Sequence, residues 1–64
     1  MENRLRKLRR MKGFTQFRLA EKAKVSRSVI ARFETGRTEL SVDSLVKIAD
    51  ALGVKVDELI RKAG

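Results

Sequence analysis

The side chains that usually carry catalytic chemistry are nearly absent from this sequence. Its 64 residues include no Cys, His, Tyr or Trp, and its eight Asp and Glu residues are scattered along the chain. The lack of Cys and His removes the ordinary ligands of a structural zinc ion and the usual Cys–His or Ser–His nucleophile pair. A Ser–Lys pair is compatible with the composition, but no motif places one in a cleft, and no glycine-rich phosphate loop occurs. We therefore expect no enzyme, no metal ion and no cofactor.

The charge of the chain is concentrated in its first part. Residues 1–37 hold 12 Lys or Arg and 3 Asp or Glu, whereas residues 38–64 hold 4 and 5, for a net charge of +8. Such asymmetry indicates a polyanionic partner for the first part, although a basic surface without a partner is the simpler alternative. No apolar run is long enough for a signal peptide or a membrane span, so we expect a cytoplasmic protein with no membrane partner.

Helical periodicity extends over almost the whole chain, which contains no Pro. We predict an all-α fold of five short helices, at residues 2–11, 16–23, 27–35, 42–52 and 56–62. Three of these helices follow a residue that can cap their first turn, namely Thr15, Ser26 and Ser41. The length allows one small domain over residues 1–64.

The second and third predicted helices lack acidic residues in their first turns. After Thr15, the position that a capping box would fill with Glu holds Arg18, and Ser26 is followed by Arg27. Helix starts carry partial positive charge and normally attract Asp or Glu. A start with free N–H groups and no carboxylate is suited to bind a phosphate group. We therefore predict that Thr15, Arg18 and Ser26 contact a nucleic-acid backbone, although chance could also remove acids from two helix starts.

The third predicted helix has two different faces. At ~100° per residue, Arg27, Ser28 and Arg32 share one arc, with Ala31 between them. The opposite arc carries the apolar residues Val29, Ile30 and Phe33. A flat basic face of this kind fits the major groove of DNA, where Arg can bind guanine and Ser can bind several base edges. We predict that Arg27, Ser28 and Arg32 read bases; the alternative is a solvated helix face.

Glu34 lies toward the inward arc of the same helix, where a carboxylate needs a partner. Arg9 is the candidate, because it follows Leu8 at the edge of the apolar stripe that Leu5, Leu8 and Met11 are predicted to form on the first helix. We predict an Arg9–Glu34 ion pair, with an exposed Glu34 as the alternative.

Three stretches of the chain together resemble the lambda-repressor-like helix-turn-helix family, also called the Xre or Cro/CI type. They are "TQFRLAEKAKVSRSVIARFETGR" at residues 15–37, "LVKIADALGVKVDEL" at residues 45–59 and "LRKLRRMKGFTQ" at residues 5–16. The resemblance covers about residues 4–60. It implies a compact five-helix domain whose third helix recognises DNA.

The resemblance also implies residue roles. Gln16 matches a phosphate ligand at the start of the second helix, Arg37 and Thr38 match a loop that contacts the DNA backbone, and an Arg9–Glu34 pair occurs in some members. Members usually dimerise through their C-terminal helix region, which here points to Val54, Val56, Leu59 and Ile60.

Three positions depart from the family pattern. Lys24 stands where Gly is common in the turn, and Leu40 where many members have Pro. Phe17 replaces a residue that is usually polar and exposed. It could contact the DNA backbone, contact a partner, or pack on a neighbouring loop.

These observations predict a transcriptional regulator, a repressor that binds an inverted-repeat operator in double-stranded DNA as a homodimer. The alternative is an antitoxin or another protein-binding module of the same fold that also regulates its own operon, with a toxin or polymerase as partner. RNA binding is less favoured, because single-strand readers stack bases on aromatic residues, and this chain has three Phe and no Tyr or Trp.

Overall fold

The computed structural model describes residues 4–37 and 39–60, and within these ranges the fold is all-α. The five helices are α1 Leu5–Met11, α2 Gln16–Ala23, α3 Arg27–Glu34, α4 Val42–Leu52 and α5 Val56–Ile60. The predicted bounds of α2 are met. Prediction started the first helix too early, because Arg4 precedes α1 with φ of −105° and ψ of 12°. The predicted third helix is one residue too long, because α3 ends at Glu34. The predicted end of the fifth helix, residue 62, lies outside the described residues.

The first four helices end in the same kind of turn, in which the chain passes through a left-handed residue. After α1, that residue is Gly13 with φ of 78°, and the N–H of Phe14 donates to the Arg9 carbonyl at 3.0 Å. This turn directs Phe14 back onto the core. After α2, the left-handed residue is Lys24 with φ of 60°, where a side chain costs about 1 kcal/mol relative to glycine.

The core forms where α2 packs against both α3 and α4, while α1 and α5 close it from the other side. Its largest fully buried side chains are Phe33, Leu5, Leu19, Ile30, Ile48 and Leu59. The backbone N–H of Arg4 donates to the Leu59 carbonyl at 2.8 Å and ties the start of α1 to α5. The core therefore fixes α3 from behind and leaves its opposite face open.

The apolar stripe predicted for α1 is wrong at its last position, because Met11 is 68% exposed. Each three-residue step along an α-helix turns by ~300°, so Met11 lies ~120° away from Leu5. Arg9 lies nearer to the inward direction and is buried instead. On the inward side of α1, the buried position next to Leu5 and Leu8 is thus occupied by the charged Arg9 and not by Met11.

Candidate nucleic-acid interface

The starts of α2 and α3 are both capped by hydroxyl groups. Thr15 Oγ1 accepts from the Arg18 N–H at 3.1 Å, and Ser26 Oγ accepts from the Val29 N–H at 3.1 Å. Neither helix has an acidic residue in its first turn. The other N–H groups of these first turns are therefore not opposed by a carboxylate from the same turn, which favours an external anion.

The outward face of α3 consists of the residues that the sequence assigned to base reading. Arg27, Ser28 and Arg32 are exposed. Ile30 and Phe33 are fully buried on the opposite side and hold the helix against the core. Two residues differ from the simple division into faces, since Val29 and Ala31 are both half-buried.

Glu34, at the end of α3, joins α1, α2 and α3 through its carboxylate. Arg9 donates to it twice, from Nε to Oε2 at 2.6 Å and from Nη2 to Oε1 at 3.2 Å. Gln16 Nε2 donates to Oε1 at 3.1 Å, and Arg6 Nε donates to the same oxygen at 3.3 Å. The side chain of Glu34 has no exposed surface. The structure thus brings together Arg9 and Glu34, the pair expected from the sequence, and adds two further donors.

The pKa of Glu34 reflects a competition between burial and these donors. Burial alone would raise the pKa, because it removes the carboxylate from water. Hydrogen bonds from Arg9 and Gln16, the positive charge of Arg9, and the bond from Arg6 outweigh burial and hold the pKa below its ordinary value of 4.5. Glu34 is therefore ionised at neutral pH, and its charge is compensated inside the protein.

Arg9 also connects this cluster to the turn before α2, because its Nη1 donates to the Phe14 carbonyl at 2.9 Å. Its guanidinium therefore holds both this turn and the end of α3. In the described part of the chain, no buried side-chain nitrogen or oxygen atom lacks a hydrogen-bond partner. The cluster is fully satisfied, which is the condition under which a buried charged network stabilises one arrangement.

Two of the remaining predicted backbone ligands, Arg18 and Arg37, are exposed. Arg37 is exposed in the turn after α3, and its backbone N–H donates to the Arg32 carbonyl at 3.0 Å. Arg18 is exposed and lies 3.9 Å from Glu21. Thr38 lies outside the described residues. Phe17 is 58% exposed, beside Gln16 at the start of α2.

Sequence reasoning missed two features of the surface. Arg6 was given no role, although it lies ~60° from Arg9 around α1 and so could have been expected near Glu34. Val42 and Val46, one turn apart on α4, were not singled out, yet both are exposed. Helical periodicity predicts which face of α4 is buried. It does not explain why apolar residues such as Val42 and Val46 lie on the exposed face.

The residues assigned to a dimer interface do not share one environment. Val54 and Val56 are partly buried against the core, and Ile60 is 37% exposed. Leu59 is fully buried among the residues of its own core, so it offers no surface to a second copy. The reason is its position on α5, where it faces inward and its carbonyl binds Arg4.

Over residues 4–37 and 39–60, the chain holds no group of three His, Cys, Asp or Glu residues that could bind a metal ion. The helices of this same part are also too short or too polar for any of them to cross a membrane. The polar side chains that the structure does bring together join α1, the start of α2 and the end of α3.

Two short helices joined by a tight turn, with the second one held by its apolar face, define a helix-turn-helix protein. A helix-turn-helix family model matches residues 5–59. The chain therefore belongs to the lambda-repressor-like helix-turn-helix family, a family of DNA-binding transcriptional regulators rather than enzymes.

Three similar proteins illustrate the family. The immunity repressor of Bacillus phage phi105 is 39% identical over 57 residues, which are 89% of this chain and 40% of the repressor. The restriction-modification controller protein C.AhdI from Aeromonas hydrophila superimposes with a TM-score of 0.84 at 37% identity, over 89% of this chain and 86% of C.AhdI. SinR protein, solved in complex with SinI protein, superimposes with a TM-score of 0.85 at 33% identity. The match covers 92% of this chain and 58% of the matched chain. The chain thus spans two fifths of the length of the phage repressor.

Proposed function

We propose that this protein is a sequence-specific regulator that binds double-stranded DNA and acts as a repressor. The observation that carries the proposal is the exposed face of α3, where Arg27, Ser28 and Arg32 stand free of the core. The two capped helix starts beside it supply backbone N–H groups for phosphates. Family membership and the similarity to a phage repressor support the same reading.

The proposal divides the interface into two kinds of contact. Arg27 and Arg32 bind base edges in the major groove, with Ser28 beside them, and these contacts supply specificity. Six further residues contact the sugar–phosphate backbone and supply affinity through counterion release. They are Thr15, Gln16, Arg18, Ser26, Arg37 and Thr38.

We further propose that two copies bind an inverted repeat. A two-fold dimer of a helix-turn-helix protein places its recognition helices in successive major grooves, about 34 Å apart. The surface near Ile60, with Val54 and Val56, is the proposed contact between copies, and Leu59 supports it only from beneath. The 64 residues act as a single DNA-binding domain in the cytoplasm and repress by occluding the promoter.

Selection of bound sites from random duplex DNA tests this function directly. We expect enrichment of an inverted repeat. An enriched site without two-fold symmetry would remove the dimer from the proposal, and no enrichment over random sequence would remove sequence-specific binding.

Variants of the interface test the division of roles. We expect Arg32→Ala to weaken binding to the selected site by about 1–3 kcal/mol and to relax one base position, because a bidentate contact to guanine is lost. Gln16→Ala and Arg37→Ala should weaken binding to selected and random duplexes by the same factor. Titration of each variant against both duplexes measures these losses. If each of the three variants lost as much affinity for the selected duplex as for the random one, the assignment of roles would be contradicted.

A second candidate is a module that binds another protein, such as a toxin or polymerase, while regulating its own operon. The exposed Phe17 favours this possibility, because an exposed aromatic side chain is a common anchor of protein contacts. SinR, which this chain resembles, was solved in complex with SinI protein. A neighbouring gene for a toxin, with co-purification lost in Phe17→Ser, would support this candidate over a regulator acting alone.

A further inference from the structure

A basic strip on α1 lies beside the candidate interface and has no role in the function proposed above. We call Arg6, Lys7 and Arg10 the α1 strip. Its members line an open groove on the protein surface together with Met11 and Glu34. All three strip residues are exposed.

The strip is connected to the proposed phosphate ligand Gln16 by a single shared atom. Arg6 Nε and Gln16 Nε2 both donate to Glu34 Oε1, at 3.3 and 3.1 Å. The two nitrogen atoms therefore lie no farther apart than the sum of these distances. A DNA backbone that reaches Gln16 passes within reach of the Arg6 side chain.

The buried carboxylate of Glu34 beneath the groove does not cancel the positive charge of the strip. Buried Arg9 already neutralises Glu34, with its Nε 2.6 Å from Oε2. Arg6 covers this pair from the outside with a side chain that is 51% exposed. Its bond to Glu34 uses Nε only, which leaves four of the five guanidinium N–H donors outside that bond. The groove thus keeps a net positive charge, and Arg6 has N–H donors that can exchange water for a phosphate.

We propose that the α1 strip is a second binding surface for the DNA backbone, in which Arg6 and Arg10 contact phosphates next to the one at the start of α2. This inference rests on the proposed function. An acidic protein surface would match the same charge, but continuity with Gln16 favours the nucleic acid. Around α1, Arg10 lies ~40° and Lys7 ~100° beyond Arg6, away from Glu34. The contribution to binding therefore decreases from Arg6 to Arg10 to Lys7.

The salt dependence of binding tests the strip. Each phosphate contact contributes about 0.9 to the slope of log K against log salt concentration on duplex DNA. We expect Arg6→Ala to lower the slope by about that amount on selected and random duplexes alike, with their affinity ratio unchanged. Lys55→Ala is the matched control, because it removes one exposed positive charge from the turn between α4 and α5.

A double variant separates direct contact from positioning. If Arg6 only orients Gln16 through Glu34, Arg6→Ala has no further effect once Gln16→Ala is present. If Arg6 binds a phosphate, the slope falls again in the double variant, and Arg6→Lys retains most of the wild-type slope. Urea unfolding of each variant confirms that the fold is kept.

The outcomes distinguish this inference from the proposed function. A lowered slope for Arg6→Ala, retained in the Gln16→Ala background, supports the strip. A slope equal to that of Lys55→Ala, while the wild type still prefers its selected site, overturns the strip and leaves the proposed function intact. A wild-type protein that binds no duplex at low salt overturns both.

Discussion

Glu34 is the residue that ties α3, the proposed recognition helix, to α1 and α2. Its carboxylate accepts from Arg6, Arg9 and Gln16, and its side chain is fully enclosed. Removing one partner from such a buried pair leaves an uncompensated charge, which costs far more than the pair contributes net. Glu34 therefore restricts how α1, α2 and α3 can move relative to one another.

Glu34→Gln is expected to lower the free energy of unfolding at pH 7 by about 3 kcal/mol or more, since Arg9 loses its charged partner. The pKa of Glu34 is lowered in the folded state, so the stability it contributes is present above its unfolded value of 4.5 and is lost as pH falls through the lower folded value. Urea titrations from pH 7 to pH 3 should show a smaller loss for the variant than for the wild type.

Glu21→Gln is the control for this measurement, because Glu21 is an exposed glutamate whose contact with Arg18 is 3.9 Å long. Its stability should follow the wild-type pH profile closely. If Glu34→Gln followed it too, the ion pair would have no measurable role in acid sensitivity.

Lys24 is a strained residue in the turn between α2 and α3. It is the sole non-glycine with positive φ in the described ranges, and Gly at this position would remove the contact between Cβ and the backbone. We expect Lys24→Gly to stabilise the fold by about 0.5–1 kcal/mol, which raises Tm by several degrees in a domain of this size. Calorimetry measures the shift.

Lys12→Gly is the matched comparison, because Lys12 also follows a helix but has φ of −90°. There, glycine relieves no strain and adds backbone freedom to the unfolded chain, so Tm should stay level or fall. A gain of the same size in both variants would contradict the explanation by strain.

At the scale of elements, helix starts distinguish the proposed interface from the rest of the fold. Ser26 caps α3 and Ser41 caps α4 with the same geometry, with Oγ to N–H distances of 3.1 and 3.2 Å. Of these two helices, only α4 has an acidic residue, Asp43, in its first turn. The two helices thus share a capping device but differ in what their starts attract.

Ser26→Ala and Ser41→Ala should each destabilise the fold by about 1 kcal/mol, because each removes one N-cap. Only Ser26→Ala should also weaken DNA binding, since Ser26 lies at the proposed phosphate site. Paired urea and DNA titrations measure both quantities. Equal losses of DNA affinity in the two variants would show that the effect comes from stability alone.

At the scale of the whole molecule, the proposed dimer depends on the surface around Ile60. Ile60→Glu would place a charge at the proposed contact, and we expect dimerisation to weaken about tenfold or more, which corresponds to about 1.4 kcal/mol. Sedimentation measures the change. Met11→Glu makes a comparable replacement at an exposed residue of α1 and should leave the association unchanged.

The same variant predicts a change in DNA binding. Ile60→Glu should bind a single half-site as the wild type does and should lose the extra affinity for the full inverted repeat. If it instead bound the full repeat as tightly as the wild type, Ile60 would lie outside the contact between copies.

The sequence by itself determined the local features of this protein. Hydroxyl caps start α2, α3 and α4, and a glycine ends α3 and α4, because these signals act within a few residues of a helix end. The two faces of α3 follow from the helical repeat alone, and the family follows from motifs that cover most of the chain. Even the Arg9–Glu34 contact could be expected, since a carboxylate on an inward arc requires a cation.

Only the tertiary structure decided what depends on the packing of one helix against another. Three-residue spacing suggests that α1 packs on the core through Leu5, Leu8 and Met11. In the structure the packed face holds Arg9, and Met11 is exposed. Leu59 belongs to the core because α5 folds back onto α1. Arg6 reaches Glu34 across 28 residues of sequence, and its distance of 3.3 Å follows from the packing of α1 against α3.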